Sequence, residues 1–204
     1  MIRVEDEGRL RIIRLDRPDK ANALTRDMLA AVAEAAEAAT AAGTQALILT
    51  GEGRVFSAGA DLDAAKAGLA TDPVWTRASE ALAGFPGLSV AALNGTLAGG
   101  AFALALPCDI RLAVPGASFF YPVMRLGYRP QPADPERMAR LVGPGRAKMI
   151  LMAGQKIGAE EALAWGLVDR IVAPEMLIEE ARRLCTDALA ATTGHVAAIK
   201  AMIG

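Results

Sequence analysis

The chain has 204 residues, a formal net charge of −1 and 53% hydrophobic residues. This length suits one domain with a sizeable core, and the near-neutral charge gives no electrostatic reason to expect nucleic acid or a membrane surface as a partner. A single histidine and two widely separated cysteines argue against a zinc site and a disulfide framework. The two separated cysteines favour a reducing cytosol, and the charged N-terminal segment lacks the apolar core of a signal peptide, so we expect a cytoplasmic protein.

The first third of the sequence predicts strands around one helix. Residues 10–15 have the composition of a strand, which would pair with residues 2–4 through a turn near Gly8. Thr25 is a predicted helix N-cap, and the apolar positions that follow keep a helical spacing to about Gly43. Residues 46–50 are a short apolar run, typical of a buried strand.

Two stretches that carry only small side chains follow predicted strands. Residues 51–62 include three glycines and come directly after the strand at 46–50. Residues 94–101 follow a second predicted strand, 88–93, and lead into an apolar helix that Pro107 ends. Glycine and alanine leave main-chain N–H groups open to a ligand, and a helix start adds unpaired N–H groups and a positive dipole end. If the two stretches face each other, they supply two donors for a developing oxyanion.

The remaining elements are helices with a few strands. Residues 63–72 predict a short helix and a loop, and Asp72 with Pro73 starts the next helix. Strands are predicted at 108–113, 118–121 and 168–172, with a loop at 127–135 between the last two. Helices are predicted at 135–141, 145–152, 159–165, 174–191 and 194–202.

Several phrases occur in an order that resembles the crotonase superfamily, the enoyl-CoA hydratase/isomerase family. They cover nearly the whole chain and lie at residues 15–24, 56–62, 94–100, 108–113, 151–154 and 162–168. The resemblance implies an α/β fold in which β–β–α turns form a spiral with helices packed outside. It implies a spiral core at residues 1–190, with residues 191–204 starting a shortened C-terminal helical region. It also implies a homo-oligomer, most often a trimer.

The resemblance assigns the small-residue stretches to an acyl-CoA thioester. The backbone N–H groups of Ala60 and Gly100 would form the oxyanion hole, and no further cofactor is implied because coenzyme A is part of the substrate. The adenine would lie beside the loop at 58–61 and the segment at 20–22, with positive charge nearby. The substrate-binding residues implied are Arg17, Lys20, Ala21, Ala58, Gly59, Asp61, Leu62 and Gly99.

The acidic residues of the family are not found at their usual positions. Hydratases of this family use two glutamates, and the matching positions here hold Ala103 and Val123. Family isomerases often carry an acidic residue a little later, which matches Gln131. None of these side chains can transfer a proton. The remaining candidates are Tyr128, ranked above Tyr121, and Asp134, which also has the sequence context of a helix start.

The sequence therefore predicts an acyl-CoA enzyme that stabilises a thioester enolate, and isomerisation or decarboxylation fits it better than hydration. An alternative prediction is a binding or regulatory protein that holds acyl-CoA without converting it. A third is a subunit that assembles with a fuller relative. Turnover of thioesters, binding without turnover, and co-purification with another family member distinguish these readings.

Overall fold

The computed structural model describes residues 1–203, which form ten strands and ten α-helices. The strands are β1 (Ile2–Glu7), β2 (Leu10–Leu15), β3 (Ala46–Gly51), β4 (Val55–Ser57), β5 (Leu88–Leu93), β6 (Thr96–Ala98), β7 (Ile110–Ala113), β8 (Ser118–Phe120), β9 (Ile157–Gly158) and β10 (Arg170–Ile171). The helices are α1 (Arg26–Ala41), α2 (Leu62–Lys66), α3 (Val74–Ala83), α4 (Phe102–Ala105), α5 (Val123–Leu126), α6 (Asp134–Val142), α7 (Pro144–Leu151), α8 (Ala159–Trp165), α9 (Leu177–Ala190) and α10 (Thr193–Ile203).

From β3 to β8, successive strands alternate between two sheets, so each of these turns of the chain contributes to both. The larger sheet has the order β1-β2-β3-β5-β7-β10 and is parallel except for the β1–β2 pair. The smaller sheet has the order β4-β6-β8-β9. Strand pairs β3 with β4, β5 with β6, and β7 with β8 are each followed by helices. This is the predicted spiral of β–β–α turns, and the fold class is confirmed.

Helix α1 shows how the sequence sets one of these outer helices. The Thr25 hydroxyl accepts a hydrogen bond from the Met28 N–H at 3.3 Å, which caps the first turn. The helix buries one face, formed by Met28, Leu29, Val32, Ala33, Ala35, Ala36 and Ala39. Because most of these side chains are small, α1 packs closely against α3 and the first two strands. Thr25 as N-cap and a helix ending near Gly43 are both confirmed.

Short elements are where the sequence prediction failed. Strands β4 and β6 lie inside the two small-residue stretches, which we predicted as loops, and β9 and α5 were also missed. The last predicted strand, 168–172, is reduced to the two residues of β10. Each of these elements has only two to four residues, too few for a hydrophobic period to be recognised, and the strands among them depend on pairing with distant chain segments.

The C-terminal part is helical. Helix α9 ends at Ala190 and α10 begins at Thr193, and none of the α10 residues is buried. Lys200 ties α10 to the core through hydrogen bonds to the Gly87 carbonyl at 3.0 Å and the Asp109 carboxylate at 2.8 Å. The expected division at residues 190 and 191 stays a prediction, and its last residue, Gly204, lies outside the described residues. Across residues 1–203, every helix is too short or too polar to cross a membrane.

Candidate active site

The two small-residue loops lie against each other, main chain to main chain. Gly59 has φ of 93° and Gly99 has φ of 53°, which are values that residues with side chains rarely adopt. A Cβ atom added to Gly59 would lie 2.8 Å from the Ala98 carbonyl oxygen and 3.4 Å from the Gly99 Cα. Only a residue without a side chain permits this approach, so the glycines bring the loops together.

The Ala60 amide points away from its neighbouring segment. Leu24 and Ala60 form an isolated parallel bridge, in which the Leu24 N–H donates to the Gly59 carbonyl at 2.8 Å and the Asp61 N–H donates to the Leu24 carbonyl at 2.9 Å. Main-chain groups alternate in direction along extended backbone, so the Ala60 N–H faces the opposite side. Within residues 1–203 it donates no loop or side-chain hydrogen bond.

The Gly100 amide belongs to a helix start. Residues Gly99–Ala101 form a 3₁₀ turn that runs into the four-residue helix α4, and Ala98 supplies no side-chain cap. The first N–H groups of such a start have no partner inside the helix. Because α4 is short, its dipole adds little, and the amide itself is the donor that matters here.

Ala60 and Gly100 line one cavity with a volume of about 100 Å³. Its lining is mostly apolar, and Trp75 stands beside Gly100, where an added Cβ would lie 2.9 Å from the indole ring. The lining residues are Ala58, Ala60, Leu62, Ala65, Ala70, Trp75, Gly99, Gly100, Tyr121, Pro122, Val123, Leu126, Tyr128, Arg129 and Gln131. Trp75 is not among the site residues that the sequence predicts.

The cavity lining carries no carboxylate from the described part of the chain. Val123 forms part of the wall and is 7% exposed, whereas Ala103 is fully buried and does not belong to the lining. Tyr128 also lines the cavity and is 39% exposed, so it lies where the cavity meets the surface. The polar groups that can act in this cavity are therefore main-chain amides, two tyrosines, Arg129 and Gln131.

Arg17 and Asp61 join the segments on either side of the first loop. The Arg17 guanidinium contacts the Asp61 carboxylate at 2.7 Å and donates to the Ala23 carbonyl at 3.1 Å. Asp61 also caps α2 by accepting from the Asp63 and Ala64 amides at 3.1 and 3.2 Å. The hydrogen bond from Arg17, followed by the Ala64 amide, lowers the pKa of Asp61. Asp61 therefore braces its loop.

The segment around Ala21 is held by a buried asparagine that the sequence reading did not single out. Ala21 and Asn22 have positive φ values of 50° and 52°, a conformation that costs on the order of 1–3 kcal/mol for each residue. The Asn22 side chain donates to the Glu52 and Val55 carbonyls at 2.9 and 2.8 Å. The Ala21 carbonyl accepts from the Ala58 N–H at 2.9 Å, which places this segment beside the first loop. Lys20 is exposed at the end of its 3₁₀ turn.

Tyr121, Gln131 and Asp134 form a buried hydrogen-bonded group behind the cavity wall. The Tyr121 hydroxyl donates to the Asp134 Oδ2 atom at 3.0 Å and accepts from the Gln131 N–H at 3.1 Å. Asp134 has no exposed surface, and its Oδ1 atom has no hydrogen-bond partner among residues 1–203. The Tyr121 ring stacks on Phe102, with centroids 5.4 Å apart.

Burial dominates the acidity of this group. It raises the pKa of Asp134 to about 7, although the Tyr121 hydrogen bond and the Arg137 charge both act to lower it. Burial, together with the neighbouring Asp134, raises the pKa of Tyr121 well above its ordinary value. Asp134 is also the first residue of α6, so both sequence readings of this residue hold: it starts a helix and it points inward. Glu136, two residues further along the same helix, is exposed.

Two residue types that often carry chemistry lie elsewhere. His195 is exposed in α10 and lines a different cavity, between α9, α10 and the larger sheet. Cys108 and Cys185 are buried free thiols, and burial raises the pKa of Cys108 to about 12. Neither His195 nor the two cysteines line the cavity that contains Ala60 and Gly100.

The spiral of β–β–α turns and its outer helices are the crotonase fold, and comparison with known proteins identifies the family. A model of the family described as enoyl-CoA hydratase/isomerase matches residues 5–203. The chain therefore belongs to the enoyl-CoA hydratase/isomerase family, whose members are enzymes that act on acyl-CoA substrates.

Named relatives and solved structures agree with this assignment. The chain is similar to a crotonyl-CoA hydratase from Syntrophomonas wolfei, with 36% identity over 192 residues, 89% of this chain and 72% of that protein. It is likewise similar to a carnitinyl-CoA dehydratase from Salmonella arizonae, with 36% identity over 98% of this chain and 78% of that protein. The structure of an enoyl-CoA hydratase/isomerase from Pseudoalteromonas atlantica superimposes with a TM-score of 0.92 at 28% identity, covering 99% of this chain and 82% of that one.

Proposed function

We propose that this chain binds an acyl-CoA thioester and stabilises its enolate with the backbone N–H groups of Ala60 and Gly100. The observation that carries the proposal is that both amides line one apolar cavity and make no competing loop hydrogen bond within residues 1–203. Donors held in place by packed loops need little reorganisation as charge develops on the thioester oxygen. Loss of one such donor typically costs ~2.7–4 kcal/mol of transition-state stabilisation.

Isomerisation or decarboxylation fits this cavity better than hydration. Hydration needs a group that positions a water molecule and moves its proton, and the lining offers Val123 where the family resemblance expects a glutamate. Decarboxylation of a malonyl-type thioester forms the enolate by loss of CO₂, which needs no base. The main requirement of that step is therefore stabilisation of the enolate. The named relatives are a hydratase and a dehydratase, so the proposal departs from the reaction in their names.

The coenzyme A part of the substrate would lie over the first loop. Ala58 and Leu62 are exposed at the mouth of the cavity, and Lys20 is exposed at the end of the adjoining segment. A flexible lysine at this place can meet a phosphate oxygen. Arg17 is within the same region, but its ion pair with Asp61 gives it a bracing role as well.

A thioester panel tests the reaction class. Purified protein is incubated with crotonyl-CoA, a 3-enoyl-CoA and malonyl-CoA, and hydration, double-bond movement and CO₂ release are followed separately. We expect conversion of the 3-enoyl or the malonyl thioester and hydration at least 100-fold slower than either, in line with the usual size of acid–base catalysis. Rapid hydration of crotonyl-CoA would contradict the proposed reaction class.

Infrared spectroscopy tests the two amides independently of turnover. A thioester labelled with ¹³C at its carbonyl is bound to the protein, and its C=O stretching frequency is compared with that in water. Two aligned donors polarise the carbonyl and lower the frequency. A carbonyl that binds with its free-solution frequency would show that the oxygen lies outside the Ala60 and Gly100 pair.

A second candidate function is binding of acyl-CoA without conversion. The observation that favours it is the cavity lining without a carboxylate. Saturable binding of several thioesters with no product from any of them would support this function and exclude the enzymatic one. Tyr128 and Asp134 remain the sequence-derived candidates for proton transfer, and conversion abolished by Tyr128→Phe or Asp134→Asn would exclude a pure binding role.

A further inference from the structure

We propose that Tyr121 and Asp134 act together as a proton relay that connects the candidate active-site cavity to a second, separate cavity behind its wall. The inference rests on the proposed function, since it names how a proton reaches or leaves the thioester enolate. In this proposal the proton carriers are two buried side chains and not Tyr128. Tyr121 directly follows β8, and Asp134 is the first residue of α6.

Tyr121 and Asp134 lie on two different cavities. Tyr121 lines the active-site cavity, while Asp134 lines the second cavity, which has a volume of about 100 Å³. Trp75 and Gln131 line both, so they form the partition between the two spaces. The 3.0 Å bond between the Tyr121 hydroxyl and Asp134 crosses this partition. A proton can therefore pass from one cavity to the other through two side chains.

One carboxylate oxygen of Asp134 has no hydrogen-bond partner within residues 1–203. Asp134 Oδ1 is buried and has no hydrogen-bond partner in the described part of the chain, which is costly for a carboxylate unless water or a proton satisfies it. The second cavity is large enough to hold water molecules. Its charged lining residues are Glu80 and Arg137, and the Arg137 guanidinium is bonded to the Ser79 hydroxyl. Water in this cavity would both satisfy Oδ1 and exchange its proton with solvent.

The hydrogen bonds of the Tyr121 hydroxyl can change direction with the protonation of Asp134. When Asp134 is ionised, the Tyr121 proton is used in the bond to Oδ2. When Asp134 is protonated, its own proton can fill that bond, and the Tyr121 hydroxyl proton is released toward the cavity while the Gln131 N–H still donates to the Tyr121 oxygen. A pKa near 7 for Asp134 means that both forms are populated at neutral pH, which suits a group that gives and takes protons.

Two protons move in the proposed transfer. The Tyr121 O–H bond breaks as its proton bonds to the enolate carbon, whose electron pair forms the new C–H bond. The Asp134 O–H bond breaks at the same time, and that proton bonds to the Tyr121 oxygen. Asp134 is left as a carboxylate and takes a proton from water in the second cavity, and that water is reprotonated by exchange with bulk solvent, so one solvent proton is consumed for each C–H bond formed. The reverse sequence removes a proton from the α-carbon, so an isomerisation can use the pair in both directions.

Exchange of the α-hydrogens of a saturated thioester tests the relay. Butyryl-CoA is incubated with the protein in D₂O, and deuterium at the α-carbon is measured by NMR, while the Kd of the thioester is measured by calorimetry. We expect Tyr121→Phe and Asp134→Asn each to lower the exchange rate at least 100-fold with Kd changed less than threefold. Both variants keep the shape of the side chain, and thermal melts confirm that they fold.

Two further readouts separate proton transfer from a structural role. The exchange rate of the unmodified protein should change with pH through a single group that titrates near 7, and this group should be absent from the residual rate of Asp134→Asn. Glu136→Gln is the matched control, since it makes the same carboxylate-to-amide change on an exposed residue of the same helix. It should leave the rate, the Kd and the pH profile unchanged.

The possible failures are distinguishable. Exchange that stays within twofold in Tyr121→Phe or Asp134→Asn, with Kd intact, would overturn the relay and leave the oxyanion proposal standing. If the unmodified protein binds butyryl-CoA without exchange, the relay is wrong and the binding function is favoured. If it neither binds nor exchanges any thioester, the proposed function fails and the relay fails with it.

Discussion

Two walls of the same cavity are built in different ways. The main-chain wall consists of Ala58, Ala60, Gly99 and Gly100, and its chemical groups are backbone amides. The close approach of Gly59 to Ala98 holds this wall in place from behind. The side-chain wall consists of Tyr121, Pro122, Val123, Tyr128, Arg129 and Gln131, and its chemical groups depend on residue identity. Substitutions in the side-chain wall can therefore change the reaction while the main-chain wall stays the same. The predictions below test whether the two walls are separable in this protein.

The largest expected effect comes from Asp134, which supports the side-chain wall from behind. Its pKa in the folded protein is raised to about 7 from 3.8, so between these pH values the folded state holds a proton that the unfolded chain has lost. Stability therefore falls as pH rises through this window, and the full cost of ~4 kcal/mol is present above pH 7. The groups that face Asp134 and act on it are Tyr121 and Arg137.

The Asp134→Asn variant measures this cost directly. Urea unfolding of the variant and the unmodified protein at pH 5 and pH 8 gives the difference in free energy of unfolding at each pH. Because two pH units separate pH 5 from the folded pKa, the variant should gain ~3 kcal/mol relative to the unmodified protein between the two conditions. A difference that is the same at both pH values would show that Asp134 is already ionised at pH 5 in the folded state.

The second prediction breaks the main-chain wall. Gly59→Ala places a Cβ 2.8 Å from the Ala98 carbonyl oxygen at a φ of 93°, and backbone on both sides leaves no flexible side chain to give way. We expect a loss of ~3 kcal/mol in the free energy of unfolding, together with loss of thioester binding. Gly43→Ala is the matched control, since Gly43 also has positive φ but has no atom near its added Cβ. It should cost only about 1 kcal/mol and leave binding intact. Equal costs for both variants would contradict the close contact of the two loops.

The main-chain wall was largely predictable from the sequence, and the side-chain wall was not. Glycines and alanines after two predicted strands indicated bare loops, and the family resemblance implied that the loops meet. The residue that stands beside Gly100, Trp75, comes from α3, and no local pattern relates positions 75 and 100. The Tyr121–Asp134 bond joins two residues across a loop rich in proline, where hydrophobic periodicity is absent. Asn22 was missed for the same reason, because its partners are carbonyls about 30 residues away.

The third prediction changes the reaction through the side-chain wall alone. Val123→Glu adds a carboxylate to the cavity lining at the position where the family resemblance expects one. If the main-chain wall is intact and separate, crotonyl-CoA hydration should rise about 100-fold over the unmodified protein. Val123→Gln has a similar size and polarity but cannot take a proton, so it should show no rise. An equal rise in both variants would mean that added polarity, and not a base, is responsible.

The smallest expected effect concerns the brace that holds the main-chain wall from outside. Asp61 makes two kinds of contact: it caps α2 through the Asp63 and Ala64 amides, and it pairs with Arg17. Asp61→Asn keeps a capping oxygen and removes the charge, whereas Asp61→Ala removes both contacts. We expect the melting temperature to fall slightly in Asp61→Asn and by a few degrees in Asp61→Ala. In 1 M salt the loss in Asp61→Asn should nearly vanish, whereas most of the loss in Asp61→Ala should remain, because salt screens the ion pair and leaves the cap intact. Equal melting temperatures for the two variants would assign the stabilisation to the ion pair and leave α2 without need of its cap.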